Sequence, residues 1–410
     1  MPRWVLAIAV AVVVAAVAVV VAGGGDGSGR GAGDQVGADL RALQRAADSS
    51  GGTRAAGTGG DAATATYLIG RLRDDGYRVS TQRFGVPLYR ERRPPRVEID
   101  GQPLAGVRTL QFSPSGRGSG RIRSVGLGCA ARDFKRLRRG EVALIRRGDC
   151  FFFIKALNAT RAGAAAVLMV NDAPKPPPGS LFRYNPRGVP AVGLGRDAGE
   201  GLAGRRALVD VDATVERRQT TNVIAEIGPA GAPHVVMAGA HRDSVPQGPG
   251  LNDNGSGVVS LLALADRFPA DRLPPRSALQ LAFWGGEELG LLGSAHYVRG
   301  LSSAERARIA DYLNFDMVGS PGARVAVYDS NDRIEATFRQ HLPPHAPQVR
   351  LVGDSDHASF ERAGIAAGGL FTGLDDCYHQ PCDTIKNVDR RVLAVSIRAT
   401  EGTLVDLLAR

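Results

Sequence analysis

Three apolar runs stand out in the second half of the chain. They read HVVMAGAH (234–241), ALQLAFW (278–284) and DYLNFDMV (311–318). Short continuous apolar runs are typical of strands that are buried in parallel or mixed sheets. A helical pattern, GVVSLLALADRF (257–268), lies between the first two runs. This alternation predicts an α/β fold with a mixed central sheet flanked by helices.

The N-terminal part of the chain predicts the beginning of the same fold. Leu40, Leu43 and Ala47 have the spacing of one face of a helix. Residues 65–72 predict a second helix, which ends at Gly76. A strand is expected at 77–84. The stretch RERRPP (90–95) is polar and contains two prolines, so it is expected to be a connector. At the other end of the chain, 390–408 is amphipathic and predicts a closing helix.

The middle of the chain, 97–215, has a different character. Short strands alternate with glycine turns, and 151–172 reads as a helix, a glycine and a buried strand. No cluster of acids and histidines occurs here, so we expect no chemistry from this segment itself. The predicted organisation is a main domain in two pieces, 36–96 and 216–410, with a small α+β domain inserted at 97–215.

The first residues predict the compartment. Trp4–Ala22 is uncharged and follows Arg3. It is longer than the apolar core of an ordinary signal peptide and just long enough to span a bilayer. Residues 1–22 are therefore expected to be either a cleaved signal peptide or a membrane anchor, and the glycine-rich 23–35 a flexible linker. Both readings place the rest of the chain outside the cell, with membrane contact only through this segment.

The four cysteines agree with export, because an even number in an exported chain suggests disulfides. Four cysteines allow three pairings. Proximity in the sequence favours Cys129–Cys150 and Cys377–Cys382. A zinc site of four cysteines is disfavoured because the chain has no Cys-x-x-Cys pair.

The net charge of +10 does not predict a nucleic-acid partner. The chain has 51 basic residues, of which only four are lysine. This preference for arginine over lysine is better explained by the base composition of the genome than by function, and the arginines form no long basic run. We therefore expect no nucleic-acid groove.

Polar residues cluster where each of the three apolar runs ends. His241 and Asp243 follow the first run, Glu287 and Glu288 the second, and Asp316 lies at the end of the third. Ligands of open α/β sheets gather outside the carboxyl ends of the strands, so these side chains are expected to converge. Two loops can add to the group: GLNDNGSG contains Asp253, and DCYHQPCDT contains Tyr378 and His379.

This inventory predicts a site for two metal ions. So many acids in one cleft would repel one another strongly without a cation. Imidazole and carboxylate together suit zinc, and two ions need a shared carboxylate with roughly two more ligands each. Each of these polar motifs, taken alone, is more often a turn, a helix cap or part of the solvated surface. The prediction therefore depends on finding all of them in this order, with three of them at the ends of predicted strands. The chain contains no Gly-x-Ser-x-Gly, P-loop or His-Glu-x-x-His motif.

The same motifs resemble the secreted di-zinc aminopeptidases of metallopeptidase family 28. The similarity follows GAHRDS, GLNDNGSG, FWGGEELGLLGS, NFDMVGS, SDHASF and YHQPCDT in this order, and it extends to GTRAAGTGG (52–60). The inserted segment resembles the protease-associated (PA) domain. The resemblance implies a zinc-exopeptidase type of fold.

The resemblance also implies a role for each site residue. His241 and Asp316 would each serve a separate zinc ion. Glu288 and His379 would complete the two sites. Asp253 would bridge the ions, and its bond to the next residue, Asn254, would be cis.

Three further residues would act on the substrate or on the ligands. Glu287 would be the general base, Tyr378 would help to hold the oxyanion, and Asp243 would orient His241. The Cys377–Cys382 bridge would fix the loop that carries Tyr378.

Hydrolysis of N-terminal residues from peptides or proteins by an exported monomer is thus the expected function. Two alternatives stay open: a non-catalytic binding protein of this fold, and a different enzyme of the fold, such as a carboxypeptidase or a glutaminyl cyclase. The chain departs from the family at Gly286, where alanine is common, and at Asp354, where some members have an arginine near the substrate. The second departure is expected to affect specificity.

Overall fold

The computed structural model describes residues 32–410, except 178, 182, 183, 352 and 354. The expected leader (1–22) and Asp354 therefore lie outside the described residues. The first helix begins at Ala32, so residues 32–35, expected to belong to the flexible linker, are helical. Among the described helices, none combines the length and the apolar character needed to cross a bilayer.

The helices alternate with the strands over most of the chain. They are α1 (Ala32–Asp48), α2 (Gly59–Asp74), α3 (Phe152–Arg161), α4 (Arg196–Gly199), α5 (Gly255–Ala265), α6 (Leu292–Gly300), α7 (Ser303–Arg308), α8 (Asp332–His341), α9 (His357–Glu361) and α10 (Arg390–Leu408). The closing helix has the predicted bounds, and Thr58 caps α2 by accepting a hydrogen bond from Asp61 N.

The strands include two that are much longer than the others, β1 and β8. They are β1 (Arg78–Ile99), β2 (Gln102–Pro103), β3 (Arg108–Thr109), β4 (Gly116–Ser124), β5 (Val142–Arg146), β6 (Ala166–Val170), β7 (Ala191–Leu194), β8 (Arg206–Ile227), β9 (His234–His241), β10 (Ser277–Trp284), β11 (Ile309–Phe315), β12 (Ala326–Tyr328), β13 (Gln348–Val349) and β14 (Ala367–Phe371).

The main sheet is mixed, as predicted. Its strands lie in the order β1-β8-β10-β9-β11-β14-β12-β13. The central strands β10, β9, β11 and β14 are parallel to one another, whereas β8 is antiparallel to β1 and β10, and β12 is antiparallel to β14 but parallel to β13. His241 is paired with Trp284, and Asn314 with Gly239, so β9, β10 and β11 end at the same edge. The predicted convergence of the strand ends is confirmed.

Helices cover both faces of this sheet. On one face, α1, α2, α5, α8 and α10 bury a large apolar cluster that includes Leu40, Leu68 and Leu404. On the other face, α6 and α9 pack around the fully buried Trp284, which is surrounded by Tyr297, Tyr312 and Phe360. The strands buried between these layers are the apolar runs of the sequence, because both of their faces lie against side chains.

The inserted segment forms its own small body of helices and strands. Strands β4, β5, β6 and β7 are parallel, and α3 packs on this sheet through Ala156 and Ala159. The first half of β8 pairs with β4 in the insert, and its second half pairs with β10 in the main sheet. The expected domain limits, 96/97 and 215/216, thus fall inside β1 and β8.

The expectation of a connector at 90–95 is wrong, because these residues continue β1. The antiparallel pairing of β1 with β8 runs from Arg78 to Ile99, with register shifts at Glu91/Arg93 and Arg93/Arg96. Pro94 and Pro95 fall within the second shift, where they take no part in the pairing. Prolines are tolerated at such irregularities of an edge strand because no ladder hydrogen bond is lost there.

Candidate metal centre

One group of candidate ligands forms where β9 and β11 end. His241 Nε2 lies 3.3 Å from Asp316 Oδ1 and 3.4 Å from Asp253 Oδ1. His241 is the last residue of β9, and Asp316 directly follows β11. Because these strands are parallel neighbours, their terminal side chains meet at one point of the sheet edge.

A second group lies on the other side of Asp253. His379 Nε2 is 3.1 Å from Asp253 Oδ2 and 3.2 Å from Glu288 Oε2. Asp253 therefore offers one carboxylate oxygen to each group. The ligand atoms within each of the two groups lie within 4.8 Å of one another. A carboxylate shared in this way is what a pair of metal ions requires.

The structure groups the candidate ligands differently from the expectation. His241 and Asp316 lie in one group with Asp253, and Glu288 and His379 lie in another with Asp253. A third set, His241 with Glu287 and Glu288, overlaps both. The physical reason is the strand order: β9 and β11 are adjacent, whereas Glu288 follows β10 on the opposite side of β9.

The shared aspartate is held by a cis peptide bond to Asn254, as expected. Asn254 caps α5 by accepting a hydrogen bond from Gly257 N at 2.9 Å, and its Nδ2 donates to the Phe315 carbonyl at 2.8 Å. Asn254 Oδ1 also accepts from Met317 N. The loop with Asp253 is thereby joined to the residues on both sides of Asp316.

The tautomer of His241 is set by a main-chain carbonyl. His241 Nδ1 lies 3.2 Å from the carbonyl oxygen of Asp243, which can only accept, so in the neutral ring that a metal requires Nδ1 carries the proton and Nε2 has the lone pair. The Asp243 carboxylate, expected to orient this ring, is 3.8 Å from Nδ1, beyond hydrogen-bond distance. It accepts instead from Glu287 N at 3.2 Å.

The turn after β10 aims two successive glutamates at the site. Gly286 has a φ of 72°, a left-handed conformation that strongly favours glycine. Glu287 Oε2 lies 3.9 Å from His241 Nε2, and Glu288 faces His379. Within the described residues, Glu288 Oε1 is buried without a hydrogen-bond partner. Such a buried, unsatisfied carboxylate oxygen fits a metal ligand.

The loop with His379 is closed by the Cys377–Cys382 disulfide, and Cys129–Cys150 closes a turn of the insert, so both expected pairings are confirmed. The Tyr378 ring stacks on His379 with centroids 3.8 Å apart. Burial raises the pKa of the Tyr378 hydroxyl far above its usual range, so this group remains a hydrogen-bond donor.

Negative charge dominates the site. Burial opposes the charged form of His379, but Glu288 and Asp253 outweigh it and raise the pKa of the imidazole to about 11. Burial likewise opposes the charged form of His241, and Asp316 and Glu287 raise its pKa well above the usual range. Burial raises the pKa of Glu287 well above its usual range. A cleft with this excess of carboxylate favours cations, and its mixture of imidazole and carboxylate fits zinc.

Sequence reasoning did not assign two buried charged residues beside the site. Arg54 is fully buried and donates from Nε to the Pro249 carbonyl at 2.9 Å and from its two Nη atoms to the carbonyls of Arg242 and Gly250. Asp356 is also fully buried, and burial raises its pKa to about 7. Both lie in motifs that the resemblance had singled out, GTRAAGTGG and SDHASF, and this was the signal that could have found them.

Comparison with known proteins agrees with this geometry. The chain matches the model of peptidase family M28 over residues 222–401 and that of the PA domain over 122–202. It is 33% identical to an aminopeptidase of Pseudomonas aeruginosa over 87% of this chain and 77% of the relative. Among solved structures, it is similar to an aminopeptidase from Aneurinibacillus sp. strain AM-1, with a TM-score of 0.82, 27% identity and coverage of 91% of this chain and 93% of that one. A zinc aminopeptidase from Bacillus subtilis is also similar, with a TM-score of 0.73, 26% identity and coverage of 90% and 94%.

Proposed function

Because the chain belongs to peptidase family M28, we propose that it is an aminopeptidase that removes N-terminal residues from peptides and proteins with two zinc ions. The observation that carries this proposal is the position of Asp253, with one oxygen facing His241 and the other facing His379. The similar structures support the choice of zinc and of the reaction, since both are named as aminopeptidases and one as a zinc enzyme.

The residues divide into two ligand sets that share one carboxylate. His241, Asp253 and Asp316 would hold one ion, and Asp253, Glu288 and His379 would hold the other. When bound, the zinc ions lower the pKa of water and polarise the scissile carbonyl.

Glu287 acts as the proton carrier of the reaction. Its side chain is only 12% exposed, and Oε2 is directed towards His241. A buried carboxylate with a raised pKa is suited to accept a proton from the attacking water and to release it to the leaving amine. Protonation of Glu287 also relieves repulsion with the charge of Glu288.

Tyr378 stabilises the developing negative charge on the carbonyl oxygen of the substrate. Its protonated hydroxyl is suited to donate a hydrogen bond, and stacking on His379 fixes the ring beside the site. The surrounding carboxylates attract the free ammonium group of a peptide, which favours the N-terminal over the C-terminal end of a substrate.

The compartment follows from the leader and the disulfides. We expect an exported monomer, either secreted or anchored by residues 1–22, because disulfides persist in oxidising compartments. Size-exclusion chromatography with light scattering measures the oligomeric state.

The decisive experiment compares a peptide that has a free N-terminus with its N-acetylated form. We expect the purified protein with zinc to release the first residue of the free peptide only, and a chelator to stop this until zinc is restored. Release of the C-terminal residue from both peptides would instead indicate a carboxypeptidase. Ammonia release from an N-terminal glutamine would indicate a glutaminyl cyclase, and zinc binding without any reaction would indicate a binding protein.

A further inference from the structure

Asp383 lies behind the site, four positions after His379 and next to the disulfide-bonded Cys382. It is only 2% exposed. Its Oδ1 accepts a hydrogen bond from Asn252 N at 2.8 Å, and its Oδ2 accepts from Asp253 N at 3.0 Å. The carboxylate thus binds the backbone N–H of the shared ligand and of the residue before it.

The main chain of Asp383 extends the same contact. Its carbonyl oxygen accepts from Leu251 N at 3.0 Å, so the N–H groups of residues 251, 252 and 253 all donate to Asp383. These three residues are buried, and buried N–H groups without a partner are strongly unfavourable. One residue therefore accepts from three successive backbone N–H groups just before the cis bond.

Asp383 also has a partner that fixes its own rotamer. Asn387 Nδ2 donates to Asp383 Oδ1 at 3.0 Å and to Asp375 Oδ1 at 3.1 Å. Asp375 Oδ2 in turn accepts from Asn252 Nδ2 at 2.7 Å. The loop that carries His379 and the loop that carries Asp253 are therefore connected by a closed network of hydrogen bonds.

We propose that Asp383 is a positioning residue of the metal centre, which sets the relative position of Asp253 and His379 through two backbone N–H groups. This inference rests on the metal-binding part of the proposed function. The 3.1 Å approach of Asp253 Oδ2 to His379 Nε2 requires the two loops to keep a fixed distance. Removing a residue that orients metal ligands typically lowers metal affinity by about 10–100-fold.

The test uses Asp383→Asn in the full chain. An asparagine side chain has one acceptor oxygen, so its amide group would face one of the two N–H donors and shift the segment with Asp253. We expect zinc affinity, measured by competition with a chelator, to fall by about 10–100-fold, and the absorption spectrum of the cobalt-substituted protein to change.

Asp389→Asn is the matched control. Asp389 also binds backbone N–H groups, those of Arg391 at 2.9 Å, Val392 at 3.2 Å and Gly322 at 3.2 Å, but these donors belong to the start of α10 and to the loop after β11 and not to the segment with Asp253. We expect this variant to lower the melting temperature and to leave zinc affinity and the cobalt spectrum unchanged.

Asn387→Ala provides a second variant if Asp383→Asn does not fold. Loss of Asn387 frees the Asp383 carboxylate to rotate, so we expect a smaller loss of zinc affinity in the same direction. Unchanged zinc affinity and cobalt spectrum in either folded variant would overturn the proposal. Zinc binding is measured without substrate. A wild-type protein that binds zinc but cleaves no peptide would therefore refute the proposed function, whereas the inference about Asp383 would still be decided by the zinc affinity of the variants.

Discussion

The backbone N–H of Glu287 donates a hydrogen bond to the carboxylate of Asp243, which lies 44 positions earlier in the chain. The two residues follow β10 and β9, which are parallel neighbours, so the contact joins two strand ends at one edge of the sheet. The aspartate thereby holds the turn that carries the proposed base.

Replacing Asp243 tests whether its hydrogen bond or its charge is required. Burial raises the pKa of Asp243 to about 7, so its neutral form is well populated near neutral pH, and the amide oxygen introduced by Asp243→Asn could still accept from Glu287 N. We expect kcat of Asp243→Asn to stay within about tenfold of the wild type, and that of Asp243→Ala to fall by about 10–100-fold. Equal losses in the two variants would show that the charge matters instead.

Glu287 and Glu288 are expected to differ in what their substitution removes. Glu287→Gln should retain zinc and lose turnover by about 10²–10⁴-fold, because the amide cannot accept a proton. Glu288→Gln should bind zinc more weakly, since one group then lacks its carboxylate. Zinc content and kcat measured on both variants check this. A Glu287→Gln protein that loses zinc would assign Glu287 to the ligands.

The two disulfides should have separable effects. Replacing both Cys377 and Cys382 by serine releases the loop with His379, and we expect zinc affinity to fall by roughly tenfold. The matched change at Cys129 and Cys150 lies in the insert and should lower thermal stability without altering zinc affinity. Chelator competition and thermal unfolding of both double variants measure the difference, and equal zinc losses would contradict it.

The insert should lose one stabilising contribution in acid. Hydrogen bonds from Arg123 and from Arg138 N lower the pKa of Glu141 from its ordinary value of 4.5 to about 2. Because the folded state has the lower pKa, this stabilisation is fully present above pH 4.5 and is lost as the pH falls towards 2. The difference in melting temperature between wild type and Glu141→Gln should therefore shrink from pH 6 to pH 3. A difference that stays constant would refute the assignment.

The strand ends could be predicted from the sequence because buried parallel strands have a distinctive apolar pattern. That pattern placed His241, Glu288 and Asp316 at one edge of the sheet. It could not divide them between the two ligand groups, because the division depends on the order of strands in space. Only the pairing of β11 with β9 shows that Asp316 lies beside His241.

The burial of Arg54 could not be predicted for a related reason. An arginine in a glycine-rich segment is usually exposed. Here its partners are carbonyls 188 to 196 positions away, which a folded loop presents together. Similarly, RERRPP lacks a strand pattern because β1 pairs there with β8 alone and exposes its side chains to solvent.

The length of β1 and β8 determines how the insert can move. These two strands pass from the main sheet into the insert without a break in the chain, so the bodies are not joined by flexible tethers. Any swing of the insert must bend a hydrogen-bonded ribbon, and bending is easiest where the ladder is already irregular, between Glu91 and Arg96. We therefore expect the insert to move by bending of the β1–β8 ribbon near residues 91–96 and not as a freely tethered domain.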